Sequence, residues 1–145
     1  MILYLDTSAL VKKYLEEVGS KDIISLWKES MAIATSSITY AETMASFHRK
    51  KREANLYENI INTTIDSFQK DWESFVRVEV NNSLNEMINK IVALYPLRGF
   101  DAIHLASALI IHARVPQTFL FACFDQRLLK AANTEGLNTF PDKFE

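Results

Sequence analysis

Uninterrupted apolar runs alternate along this chain with stretches whose apolar residues recur every three or four positions. Residues 1–5 (Met-Ile-Leu-Tyr-Leu) are the first such run, and it ends at Asp6. A short continuous apolar run predicts a strand covered on both faces, as in a parallel sheet. A helix follows over 9–17, with Leu10, Tyr14 and Leu15 on its apolar side, Thr7 or Ser8 as its cap and Gly19 as its end. Residues 22–30 predict a second helix that buries Ile23, Ile24, Leu26 and Trp27. Residues 31–35 mix small and β-branched side chains and predict a short second strand. Ser36 or Ser37 caps the next helix, which carries Glu42 early and runs through Phe47 into the cationic stretch His48-Arg49-Lys50-Lys51-Arg52. Another helix is predicted over 55–71, through Leu56, Ile60, Ile61, Ile65 and Phe68.

Val76, Val78 and Val80 alternate with Arg77 and Glu79, the pattern of a strand at a sheet edge. Helical spacing returns over 81–95 and breaks at Pro96. After Gly99, residues 100–113 predict a helix rich in Ala and Leu, closed by Pro116. Residues 119–124 predict a central strand, and Asp125 follows it as Asp6 follows the first. A helix over 127–135 is stopped by Gly136, and 137–140 predicts a last strand. Strands alternating with helices predict an α/β fold: a mainly parallel central sheet of about four or five strands with helices on both faces. No repeat or linker interrupts it, so one domain is expected over 1–145.

In a parallel sheet the strand carboxyl ends share one edge, where open α/β sheets hold ligands. Asp6 and Asp125 belong there, and Glu42 starts its helix at the same edge. Asp101 lies near the start of the helix opened by Gly99, where the helix dipole favours an anion. Each acid alone reads as a cap or surface residue. Gathered together, two carboxylates about 4 Å apart repel by roughly 4 kcal/mol at an effective dielectric of about 20. Such a group must raise some pKa values or hold cations. Oxygen donors suit Mg²⁺ or Mn²⁺ rather than zinc, for which the chain has no paired histidines and only Cys123.

Composition narrows the classes. Three glycines and three prolines in 145 residues, with 48% hydrophobic and 23% charged residues, describe an ordinary folded chain. A net charge of −2 disfavours a dedicated basic nucleic-acid binder. A single cysteine allows no internal disulfide and fits a reducing cytoplasm. The N-terminal run is too short for a signal peptide, and no segment has the length of a membrane span.

Four motifs carry a resemblance. Leu3-Tyr4-Leu5-Asp6-Thr7-Ser8-Ala9-Leu10 resembles the opening motif of PIN-domain ribonucleases, and Ser36-Ser37-Ile38-Thr39-Tyr40-Ala41-Glu42 is similar to their second. Asp101-Ala102-Ile103-His104-Leu105-Ala106-Ser107-Ala108-Leu109 is similar to the third, and Phe124-Asp125-Gln126-Arg127-Leu128 to the fourth. Order, length and architecture resemble the VapC toxins of prokaryotic toxin–antitoxin pairs. The resemblance implies an acidic pocket of Asp6, Glu42, Asp101 and Asp125, a Mg²⁺ or Mn²⁺ ion, and endonucleolytic cleavage of RNA. It also implies a cognate antitoxin, a homodimer and a cytoplasmic location. Asp6 and Asp101 would be the firmest ligands. Glu42 would bind metal or orient a water, and Asp125 would complete the pocket. A Thr or Ser often stands two residues before the fourth acid in the family; here it is Cys123.

Other residues carry two readings each. Thr7 and Ser8 are helix caps or supports for a water or phosphate at the site. Lys12 and Arg49 are solvated cations or contacts to an RNA backbone; Arg49, seven positions after Glu42, lies on the same helix face about 10 Å away. His104 reads foremost as a packed or hydrogen-bonded histidine. A non-catalytic RNA- or partner-binding module is the alternative function. A phosphatase with Asp-x-Asp after the first strand is disfavoured, since Ser8 stands where the second Asp would be.

Overall fold

A computed structural model of the protein describes residues 1–142. Its strands are β1 (Ile2–Leu5), β2 (Ala32–Ser36), β3 (Val76–Val78), β4 (Phe119–Ala122) and β5 (Asn138–Phe140). They form one all-parallel sheet in the order β3-β2-β1-β4-β5. The helices are α1 (Thr7–Leu10), α2 (Ser20–Glu29), α3 (Thr39–Ala54), α4 (Glu58–Trp72), α5 (Asn85–Leu94), α6 (Gly99–Arg114) and α7 (Gln126–Thr134).

β1 lies in the middle because all four of its residues are apolar and each face has a helical layer to meet. Ile2 and Tyr4 join Phe119, Phe121 and residues of α5, α6 and α7 in one core. Leu3 and Leu5 face the other way, into a core with Ile23, Phe47, Ile61 and Phe68. Burying each such side chain stabilises the fold by about 1.5–3 kcal/mol. β3 is an edge strand, as expected, but of only three residues, and Val76 is exposed where the alternation of Val76, Val78 and Val80 predicts a packed face. No single helix among the described residues is long and apolar enough to cross a membrane.

The predicted elements differ from the observed ones where side chains reach across the fold. The helix expected over 9–17 is one turn, α1, then a 3-10 turn over Val11–Lys13. Tyr14 ends it by turning its ring into an aromatic group with Phe47 and Phe68, at centroid distances of 5.8 and 5.5 Å. Its hydroxyl donates to Asp71 at 2.7 Å. Gly19 therefore does not end that helix; it precedes α2 with φ +95°, and a Cβ there would stand 2.9 Å from the Phe124 ring. Asn55 adopts φ 51° as the end of α3, so the next helix starts at Glu58 rather than 55. Neither Ser36 nor Ser37 caps α3, which begins at Thr39 after Ile38.

Among the described residues, one buried side-chain hydroxyl lacks a partner. Thr43 Oγ1 of α3 is fully buried and makes no hydrogen bond. An unpaired buried polar group costs about 1–3 kcal/mol. Thr43→Val keeps the shape and removes the group, so it is expected to stabilise the protein by about 1 kcal/mol. A higher urea midpoint at unchanged slope is the readout; a lower midpoint would mean that the hydroxyl is bonded in solution.

Candidate active site

The site is built from the carboxyl end of β1 outward. The chain leaves the sheet at Asp6, which is the N-cap of α1. Its Oδ1 accepts from the Ala9 N–H at 2.9 Å and from the Ser8 hydroxyl at 2.7 Å. The cap is thus Asp6 itself, rather than the predicted Thr7 or Ser8. Ser8 Oγ also accepts from the Phe124 N–H at 3.0 Å, which ties α1 to the end of β4.

On the other side, Thr35 of β2 donates to the Leu5 carbonyl at 2.7 Å and shares a 2.7 Å bond with Thr39, the first residue of α3. These buried hydroxyls fasten the start of α3 to the end of β1. Glu42, in the first turn of α3, then meets Thr7: Thr7 Oγ1 donates to Glu42 Oε1 at 2.5 Å. The same oxygen contacts His104 Nε2 at 3.0 Å, and His104 Nδ1 lies 3.0 Å from the Tyr4 hydroxyl. With Nε2 protonated, Tyr4 donates to His104, which donates to Glu42. Tyr4 is fully buried and His104 is 2% exposed, so a core hydrogen-bond chain orients a carboxylate at the surface.

Asp101 and Asp125 arrive from the opposite half. Asp125 caps α7 by accepting from the Leu128 N–H at 2.9 Å. Cys123, buried, donates its thiol to the Asp125 carbonyl at 3.6 Å. Arg98, just before α6, brings its guanidinium within 3.6 Å of Asp101 and 3.9 Å of Asp125.

Asp101 acts on Asp6, and Asp125 acts on Asp101. Burial pushes the Asp6 carboxyl up to about 6; His104, Ser8 and the Ala9 N–H offset part of this, and the Asp101 charge adds to it. Asp101 is raised by burial and then by Asp125, against relief from Arg98. For Glu42 burial also pushes upward, but the bonds from His104 and Thr7 outweigh it and leave its pKa lowered. Among the described residues no three His, Cys, Asp or Glu side chains stand in a metal-holding arrangement. Their oxygens are held by Ser8, Thr7, His104, Leu128 and Arg98 instead. As oxygen donors the acids fit a hard divalent cation, and Asp6 and Asp101, both with raised pKa values and the first raised in part by the second, carry negative charge that such an ion would balance.

A family model described as the PIN domain matches residues 3–133. The chain belongs to the PIN-domain family. Ribonuclease VapC49 of Mycobacterium tuberculosis is 29% identical over 148 residues, spanning 99% of this chain and 98% of that protein. Among solved structures, FitAcB from Neisseria gonorrhoeae is similar with a TM-score of 0.69 at 16% identity, covering 98% of each chain. A toxin–antitoxin complex from Klebsiella pneumoniae contains a chain with a TM-score of 0.61 at 17% identity, covering 86% of this chain and 88% of that one. At such identities the structures speak for the fold, which is the three-layer α/β/α arrangement of a PIN domain.

Not every candidate in this PIN domain stands free at the site. Lys12 pairs with Glu17 at 3.1 Å and lies over the Phe124 ring, 4.5 Å from its centroid, so its charge is already engaged. Arg49 is exposed on α3, with Nη2 3.4 Å from Ser46 Oγ, one turn beyond Glu42. Tyr4, Thr35, Thr39 and Arg98 shape the site and escaped sequence reasoning. Tyr4 was hidden in an apolar run, though a tyrosine in a strand buried on both faces needs a hydrogen-bond partner.

Proposed function

We propose that this PIN domain is a metal-dependent endoribonuclease, the toxin of a type II toxin–antitoxin pair. One observation carries the reading: Asp6 is a nearly buried carboxylate at the end of the central strand, with its pKa raised and the charge of Asp101 upon it. A merely structural cap gains nothing from burial beside a second acid. The family adds the activity, since the relative VapC49 is named a ribonuclease.

In this reading Asp6 and Asp101 hold the metal, Asp125 completes the pocket, and Mg²⁺ or Mn²⁺ supplies Lewis acidity toward water and a phosphodiester. Glu42 binds the same ion or orients the attacking water, its position set by Thr7 and His104. Ser8 fixes the Asp6 carboxylate and joins it to the β4 end. Arg49 contacts the RNA backbone away from the scissile phosphate. The partners are RNA, a cognate antitoxin and a second copy of the chain, in the cytoplasm.

Purified protein is expected to cut RNA with Mg²⁺ or Mn²⁺ and to stop when a chelator is added. Cleavage that survives the chelator would overturn the metal role. Calorimetric titration with Mn²⁺ separates this reading from a non-catalytic binding module, which would take up no ion at the acids.

A further inference from the structure

Arg98 has a side chain that the fold does not need. Its backbone forms the N-cap of α6 without a side-chain bond, and its side chain is 83% exposed. The loop beneath it is anchored by other groups: Leu97 N–H donates to the Tyr95 carbonyl at 2.9 Å, and the Tyr95 hydroxyl donates to Glu135. Yet the guanidinium reaches two acids that come from different elements, Asp101 on α6 and Asp125 after β4. Both contacts, at 3.6 and 3.9 Å, are longer than a formed N–H···O bond. They are loose charge contacts at a solvent-exposed position, and such contacts stabilise little. Arg98 also lines a cavity of about 430 Å³ with Asp101, Asp125 and a second guanidinium residue, Arg127. That volume is on the scale of small-ligand sites.

A cation near two carboxylates and an anionic substrate has two competing attachments. A divalent ion held by Asp101 and Asp125 repels the guanidinium from the same oxygens. Its planar fork of N–H donors then matches a phosphate, which it can bind through two parallel hydrogen bonds. We propose that Arg98 is a substrate-binding residue that exchanges partners: it rests on Asp101 and Asp125 in the metal-free protein and grips an RNA phosphate once a divalent ion takes those acids. The proposal rests on the nuclease reading and assigns its phosphate-binding group. It makes Arg98 a competitor of the metal and an ally of the RNA, so its removal shifts the two affinities in opposite directions.

The test uses the full chain with Arg98→Ala and Arg98→Lys. Calorimetry with Mn²⁺ alone is expected to show Arg98→Ala binding the ion about two- to fivefold more tightly than wild type, the scale of an exposed ion pair. Cleavage of a random-sequence RNA pool with Mn²⁺ is expected to show its KM raised about tenfold with kcat within about twofold, the scale of one charge-assisted hydrogen bond. Arg98→Lys keeps the charge but not the fork; it is expected to bind Mn²⁺ as wild type does and to show an intermediate KM. A purely structural arginine would lower the melting temperature and move neither affinity. Wild-type cleavage together with an unchanged KM in Arg98→Ala, or Mn²⁺ affinity that fails to tighten, overturns this inference and leaves the nuclease reading standing. Wild type that cuts no RNA overturns both.

Discussion

Asp6→Asn is expected to abolish RNA cleavage and, in the same molecule, to raise the stability of the metal-free protein at neutral pH. The first effect follows from losing a proposed metal ligand at the end of the central strand. Changes one shell further out already cost about 10–100-fold, so a loss of at least about a hundredfold is expected. The second effect follows from the carboxyl held at about 6 against an ordinary 3.8. Between those values the folded protein keeps a proton that the unfolded chain releases. Stability contributed by Asp6 therefore falls as pH rises from about 4 to about 6, by roughly 3 kcal/mol at most for a gap of that size. Asn is neutral throughout, and its side-chain oxygen still accepts from Ala9 and Ser8. The variant should melt above wild type at pH 7.5 with chelator present and close to it at pH 4. Added Mn²⁺ should raise the melting temperature of wild type and not of the variant. Undiminished cutting would reject the catalytic role, and a variant less stable at pH 7.5 would reject the burial argument.

The second large effect concerns His104, a residue that the proposed mechanism leaves out of direct contact with RNA. His104→Leu removes the contact to Glu42 and one of the partners of the Tyr4 hydroxyl at once. The expected stability loss is about 2 kcal/mol, the order of one buried polar group left short of a partner. Cleavage should fall about 10–100-fold because Glu42 loses its orientation. His104→Gln restores an N–H donor toward Glu42 and is expected to recover much of the rate. If His104 works through Glu42, then His104→Leu adds little further loss to a Glu42→Gln protein. Losses that multiply in the double variant would show that His104 acts independently. Tyr4→Phe, which shortens the chain by one link, is expected to give a smaller loss than His104→Leu in both measurements.

The fold and the placement of Asp6 and Asp125 at strand ends were legible for the same reason. Residues 1–5 and 119–124 are apolar without a break, so each run announces a buried strand, and the next polar residue marks where it leaves the sheet. The five parallel strands and their flanking helices follow from that alternation. What was hidden depends on pairs far apart in the chain. Thr35 meets the Leu5 carbonyl, Ser8 meets Phe124, and Tyr4 meets His104, each across many residues that no local period connects. The short α1 was misjudged for the same cause: Tyr14 obeys an aromatic cluster on the far helices rather than the spacing of its own segment. Lys12 looked available because Glu17 and Phe124 close around it only in three dimensions.

The sheet order has a temporal meaning during synthesis. The central strand β1 is made well before its partner β4, with which it pairs Tyr4 to Phe121. Domains fold as units during synthesis. Until β4 arrives, Ser8 has no Phe124 to bind and Asp101 has no Asp125 to act on it. A nascent chain that has delivered only its first three strands thus lacks the β4 end of its acidic site, and the proposed nuclease is assembled only once β4 and Asp125 have been made.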